Sequence, residues 1–361
     1  MQMAATQQSR GERAMAGCRA AGHIVDNGGD ATIQQRQPNE HWQLISRRVI
    51  ALTHLIRASA QLTYKREIGL DETEWRTLLA LGVLGPVELS VLADFLDVDK
   101  AQMSRAFARL AERDMVTRAR LRGPVRLTDN GVNVLASLQS LATARNHLLF
   151  RTVSTEEIRL MTTALDHVLE AAQAVAQPSE GLQAARSAST PTHASGSASR
   201  NPAAALVSRL ILVSRALRRV TSPFYQQLGI SDLEAHALLW IAENQPLKVR
   251  DLVHYMERDK SLVSRLVHRL VDRGLLKPPP EGKRSGWLMP TPRGSEIHEK
   301  IVQETYRNDA RYRAAAGDDH AALLKLLGQI TESARQLLAY EQEINRCLSA
   351  GLGGARADRQ A

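Results

Sequence analysis

Aromatic residues are scarce, 4% of 361 residues, although 43% of the chain is hydrophobic. A core of Leu, Val, Ile and Ala with so few rings suits helices better than sheets. Cysteine is nearly absent. Cys18 and Cys347 lie far apart with no CxxC spacing, which argues against a disulfide framework or a cysteine-based zinc site and fits a reducing cytoplasm. No apolar run approaches the roughly 18 residues that span a bilayer. The N-terminus has no continuous apolar segment after its basic residues, so neither secretion nor a membrane partner is expected and a cytoplasmic location is. The chain also lacks a Gly-rich phosphate loop, a Gly-x-Ser-x-Gly elbow and HExxH. His236, His254 and His268 have no ligand spacing, and Asp318-Asp319-His320 reads as a solvated helix start. No catalytic residue, metal or cofactor is expected, and the chain does not read as an enzyme. Acid is in deficit too: 47 Lys and Arg against 38 Asp and Glu leave a formal charge of +9, which favours polyanions, nucleic acid first.

What is present is a duplication. Residues Gly69 to Val116 align with Gly229 to Leu276 without a gap, at an offset of 160 residues. Asp99-Lys100, Ser104-Arg105, Arg109-Leu110 and Arg113 match Asp259-Lys260, Ser264-Arg265, Arg269-Leu270 and Arg273. So long a period means a duplicated domain and not a stacked array. The expected organisation is a disordered tail over 1–40, a first domain over 41–172, a flexible linker over 173–203, a second domain over 204–348 and a loose tail over 349–361. The linker rests on its Ala, Ser, Thr, Pro and Gly content without periodicity.

Each copy opens and closes on a long amphipathic helix. Ile45, Val49, Leu52, Ile56 and Ser59 form the opening stripe of the first copy, and Leu206, Leu210, Val213, Leu217 and Val220 that of the second. Ile158, Met161, Leu165 and Val168 close the first copy, and Leu323, Leu327, Ile330, Ala334 and Leu337 the second. Stripes spaced by four and three bury one helix face and suit helix–helix association. Between them, Asp71 with Glu74 and Ser231 with Glu234 have capping-box spacing, which starts helices at Glu72 and Asp232. Helices over Glu88–Leu96 and Lys248–Met256, a short turn, and helices opening at Asp99 and Asp259 make a helix-turn-helix in each copy. A hairpin wing follows. Met115–Arg118 pairs with Val125–Thr128 in the first copy, and Leu275–Lys277 with Trp287–Met289 in the second. The run Pro278-Pro279-Pro280 removes three backbone donors and interrupts the second wing.

The second helix of such a motif presents its N-terminal half to base edges in the major groove. With Met103, Phe107 and Leu110 turned inward, Lys100, Gln102, Ser104, Arg105 and Arg109 face outward. In the second copy Val263, Leu266, Val267 and Leu270 turn inward, leaving Lys260, Ser261, Ser264, Arg265, His268 and Arg269 outside. Arg reads guanine and Gln adenine, while Ser and Lys more often hold phosphate. For Arg109 and Arg269, local ion pairs beside Glu112 and Asp272 compete with DNA contact. In the first wing, Arg118, Arg120, Arg122 and Arg126 suit phosphates or the minor groove. The second wing offers Lys283 and Arg284, diluted by Glu281.

The strings DKSLVSRLVHRLVDRGLL (259–276), DKAQMSRAFARLAERDMV (99–116) and PTPRG (290–294), in this order of elements, resemble the MarR family of bacterial regulators. The resemblance covers roughly 42–172 and 204–346. It implies a mainly α fold with small β-wings: two tandem winged helix-turn-helix domains whose long N- and C-terminal helices form a dimerisation region. It implies binding to double-stranded DNA at a pseudo-palindromic operator, and commonly release by a small aromatic or phenolic ligand. The family's wings usually carry an acidic residue followed closely by Arg. Glu281 and Arg284 match that in part, and the first wing has no clear equivalent. With both reading heads on one chain, an intramolecular pseudo-dimer is expected, a homodimer of two chains being the alternative. Two other readings compete with a repressor: a ligand-sensing or protein-interaction module that has lost DNA binding in one copy, and a DNA-binding protein without sequence preference.

Overall fold

The opening stripes are buried as their spacing predicts. In the computed structural model, Ile45, Val49, Leu52, Ile56 and Ser59 of helix α1 (Ile45–Glu67) are buried. So are Leu206, Leu210, Val213 and Leu217 of α7 (Pro202–Gln227), with Val220 half-buried. The structure describes residues 43–120, 123–176, 202–245, 247–256, 260–278 and 287–357, without the side chains of 254, 255 and 349–357. The N-terminal tail and most of the linker of the sequence reading lie outside these residues.

The first copy continues with α2 (Glu72–Leu84), α3 (Leu89–Leu96), α4 (Lys100–Glu112), strands β1 (Val116–Thr117) and β2 (Arg126–Leu127), α5 (Asp129–Leu149) and α6 (Thr155–Val175). The second repeats the order with α8 (Asp232–Glu243), α9 (Val249–Met256), α10 (Lys260–Asp272), α11 (Pro292–Ala316), a 3-10 turn (Gly317–Asp319) and α12 (His320–Ala357). The fold is mainly α: two winged helix-turn-helix units in tandem with a small two-stranded sheet. Both capping boxes form, with Glu74 Oε2 accepting from the Asp71 N–H and Glu234 Oε2 from the Ser231 N–H, each at 2.8 Å. Among the described residues no helix is long and apolar enough to cross a membrane.

Three details differ from the sequence reading. The first wing gains a third strand position, Val87 bridging Val125, which periodicity could not show because a single bridge has none. The second wing pairs further along than expected, Leu276 with Pro290, while Leu288 turns back to bridge Leu247. And α12 runs on to Ala357, past the loose tail expected from residue 349. A helix already nucleated extends at one hydrogen bond per residue, even through glycines that would not start one. One cysteine expectation is corrected as well. Cys347 is disulfide-bonded and not a free thiol, which the lack of CxxC spacing does not prevent. The other cysteine, Cys18, lies outside the described residues.

Three apolar clusters organise the described residues. One belongs to the first head, with Leu70, Leu78, Leu92, Met103 and Leu110. Another belongs to the second head, with Leu238, Leu252, Val263, Leu266 and Leu270. The third is shared by both copies: it joins Leu52 of α1 and Leu165 of α6 to Val213 of α7 and Ile330 of α12. The packing is crosswise, with α12 along α1 and α7 along α6. All the closing-stripe residues named above are in this seam. The long helices α1, α5, α7 and α11 each have one end in a head and the other in the seam.

Polar contacts mark the seam's pseudo-symmetry. The stripes of α1 and α7 correspond at an offset of 161 residues, so Thr53 and Ser214 are equivalent. Their side chains hydrogen-bond to each other at 2.9 Å. Asp309 Oδ1 of α11 accepts from the Ile45 N–H at 2.8 Å, so a carboxylate of the second copy satisfies an N–H left open at the start of the first copy's α1. Arg66 pairs with the buried Glu341 of α12 at 2.7 Å.

Candidate nucleic-acid interface

Helix α4 starts where Asp99 accepts from the Gln102 N–H at 2.7 Å. Met103, Ala106 and Leu110 then anchor its back, with Phe107 half-buried beside them. Lys100, Gln102, Ser104, Arg105 and Arg109 are exposed on the opposite face. In α10, Val263, Leu266, Val267 and Leu270 are buried. Lys260, Ser261, Arg265, His268 and Arg269 are exposed and Ser264 is half-buried. A short amphipathic helix with its polar side in water therefore stands in each head.

The outward residues differ in what else they touch. Gln102 donates its amide to Thr73 Oγ1 at 2.8 Å, and Arg109 Nε donates to Glu74 Oε1. The local partner expected for Arg109, Glu112 one turn on, is displaced by a residue 35 positions earlier. The same substitution occurs in the second copy, where Glu234 faces Arg269 at 3.7 Å and Arg273 at 2.9 Å. The capping-box glutamate thus serves twice in each head: it closes the start of α2 or α8 and holds the recognition helix by an arginine. Capping spacing alone reveals the first role, whereas the second needs the fold. Arg113 and Arg273 further tie these helices to the carbonyls of Gly69 and Gly229, whose positive φ of 76° and 70° suits glycine.

Lys100, Ser104 and Arg105 keep their side chains in solvent. In α10, Arg265 donates to the Ser261 carbonyl at 3.3 Å and His268 Nδ1 to that of Ser264 at 2.7 Å, bonds within one helix turn that leave the outer edge of each group open. On the first wing Arg118 stacks on Phe107, 4.7 Å from the ring centre, and Arg120 and Arg126 are exposed. Arg122, Lys283 and Arg284 lie outside the described residues. The root of the second wing exposes Trp287, with Lys248 at 4.6 Å from its ring.

Glu234 makes the second head sensitive to acid. Burial pushes its carboxyl up, but the Ser231 N–H and hydroxyl and the Arg273 guanidinium outweigh burial and hold it below the ordinary value of 4.5. A carboxylate with a depressed folded value stabilises the fold fully above its unfolded value and loses that contribution as pH falls through the folded one. Glu234→Gln is therefore expected to cost about 1 kcal/mol at neutral pH. It should also flatten the fall in melting temperature of the second head below pH 4.5. Thermal melts from pH 7 to pH 3 measure this, and parallel curves for both proteins would contradict it.

A MarR family model matches residues 68–124 and 228–285. Each match runs from the turn after the opening helix, through the helix-turn-helix, into the wing. No curated protein and no solved structure matches the chain. Two stretches of the chain, one in each winged helix-turn-helix unit, are thus similar to the MarR family.

Proposed function

We propose that the chain is a sequence-specific DNA-binding transcription regulator, a repressor in the first instance, whose two reading heads form an intramolecular pseudo-dimer. One observation carries this reading: each head anchors the apolar back of a recognition helix and leaves a cationic face in solvent. Arg105 and Arg265 are the base readers, assisted by Lys100, Ser104, Lys260, Ser261 and Ser264. Arg120 and the wing residues Arg122, Lys283 and Arg284 contact phosphate or the minor groove. Gln102, Arg109 and Arg269 share their duty with Thr73, Glu74 and Glu234 and orient the helices as much as they read.

The shared seam supports pairing within one chain. Arg47 of α1 is buried beside the buried carboxylate of Glu243 at 3.6 Å, with His298 also 3.6 Å from that carboxylate. The pseudo-equivalent positions, Ser208 and Val83, carry no charge. Pairing two second copies would bury Glu243 without Arg47, and pairing two first copies would bury Arg47 without Glu243. A buried charge without its partner is strongly disfavoured.

A small-molecule effector would enter where α1 meets α7, α8 and α11. A cavity of about 30 Å³ lies there, lined among others by Arg47, Arg218, Tyr225, His236, Asn308 and Tyr312. That holds water and not an aromatic ring, which needs on the order of 150 Å³, so an effector would have to part these helices.

The two recognition helices differ, Ala101-Gln102-Met103 against Ser261-Leu262-Val263, so the operator is asymmetric. Selection of bound duplexes from a random pool, followed by scrambling each half-site, tests this. The expected result is two unlike half-sites roughly one helical turn apart, with specific binding weakened by about 1–3 kcal/mol in Arg265→Ala. Binding that unrelated DNA competes away equally at physiological salt would leave only a non-specific binder.

A further inference from the structure

The first head is strapped to the second copy at a place the helix-turn-helix itself does not explain. The last carbonyls of α3 lie beyond the reach of the helix's own i to i−4 bonds, although that of Asp94 also takes the Asp97 N–H at 3.3 Å. Those of Asp94 and Phe95 accept from the Arg215 guanidinium of α7, and that of Leu96 from Arg76 of α2. Arg215 is 3% exposed and lies over the Phe95 ring at 5.3 Å. Arg219 pairs with Asp94 Oδ1, and Arg218 stands 3.9 Å from Asp97 Oδ2. Three cations from one helix of the second copy thus meet the negative end of a helix dipole and two carboxylates of the first. Helix α3 packs directly on the recognition helix α4. At the pseudo-equivalent place on the other side, His54 of α1 reaches the Met256 carbonyl of α9 at 3.3 Å.

We propose that Arg215, supported by Arg218 and Arg219, is a positioning residue that sets the half-site spacing: it locks the first recognition helix at a fixed angle to the seam. A guanidinium that bridges two successive carbonyls and stacks on a ring fixes direction as well as distance, which an ammonium on a flexible stem does not. The second head is held at the matching point by an imidazole, so the two heads are oriented by unlike chemistry. This inference rests on the reading that both heads bind one duplex.

The test measures affinity for duplexes in which the two selected half-sites are moved apart or together by one and two base pairs. Each added pair moves one half-site by about a tenth of the roughly 34 Å helical turn and rotates it with the helix. Wild-type protein is expected to lose about tenfold or more for a one-pair change. In Arg215→Ala the neighbouring spacings should come within about threefold of the best, with the half-site sequences unchanged. Arg215→Lys should not restore the wild-type profile. If Arg215→Ala does not fold, Asp94→Asn with Asp97→Asn, both at partly exposed carboxylates, takes its place and should broaden the profile in the same direction. A folded variant with the wild-type spacing profile, or one that loses affinity equally at every spacing, overturns the role assigned to Arg215. A chain that prefers no duplex at any spacing overturns the DNA-reading proposal itself, and this role with it.

Discussion

Gly294→Ala is expected to displace the second wing and lower the stability of that head by on the order of 3 kcal/mol. Gly131→Ala should do the same to the first. A Cβ built on Gly131 would lie 1.9 Å from the Met115 carbonyl oxygen, and one on Gly294 2.1 Å from that of Leu275. Neither neighbour can yield cheaply, because each is backbone and already engaged. Met115 O accepts from the Thr128 N–H at 3.2 Å, and Leu275 O from the Thr291 N–H at 3.0 Å. The same threonines cap the following helices by accepting from the glycine N–H, at 3.0 Å in one copy and 3.1 Å in the other. The motif Thr-x-x-Gly therefore welds three things at one point: the end of the recognition segment, the return strand of the wing and the helix leading to the seam. Parting them by roughly an ångström, as a methyl group requires, moves the wing relative to the recognition helix. Thermal melting and affinity for the selected duplex should both fall, and an alanine variant that melts like wild type would show that the joint is looser than drawn.

Separating the copies should have the other large effect. The seam contains 15 buried residues of the first copy and 14 of the second, so neither half owns a complete core. Burying one Leu, Ile or Val contributes about 1.5–3 kcal/mol. Exposing so many outweighs the 5–15 kcal/mol by which a domain is typically stable. Residues 43–176 and 202–357 made as separate chains are expected to be unfolded or aggregated alone and to form a one-to-one complex when co-expressed. Homodimers of either half are the natural competitor, and the Arg47–Glu243 pair at 3.6 Å opposes them. Light scattering of the co-expressed halves decides the matter: a mixture of homodimers would mean that the asymmetric charges do not direct pairing. Converting Arg47 to Met in the first half should then reduce the preference for the unlike partner, since Glu243 would lose its cation on that side as well.

How far each feature could be read from the sequence follows from the distance over which its cause acts. The starts of α2 and α8 were legible because a capping box is a contact between residues three apart, Asp71 with Glu74 and Ser231 with Glu234. The inward faces of α4 and α10 were legible because helical period alone places Met103 and Leu110, or Val263 and Leu270, on one side. Phe107 was read on the inward face; it packs half-buried against the core, with Arg118 from the wing stacked on its ring. The bond from Arg109 to Glu74 and the clamp from Arg215 to Asp94 were not legible. Their partners are 35 and 121 residues apart, and nothing in a helical wheel ranks one distant acid above a nearer one. A signal was nevertheless present: Arg215, Arg218 and Arg219 crowd into five residues of α7, and Asp94 and Asp97 close a short helix.

The sequence by itself determined the duplication, the helical period of each element, the caps that start them and the cationic face each recognition helix turns outward, because these depend on neighbours within a turn or two. Only the tertiary structure decided which faces meet. It set α12 along α1 and α7 along α6, turned the capping glutamates onto recognition-helix arginines, and placed the two unlike copies around one core. Those choices are made by complementary surfaces and paired buried charges, and their energies exist only once distant segments have come together.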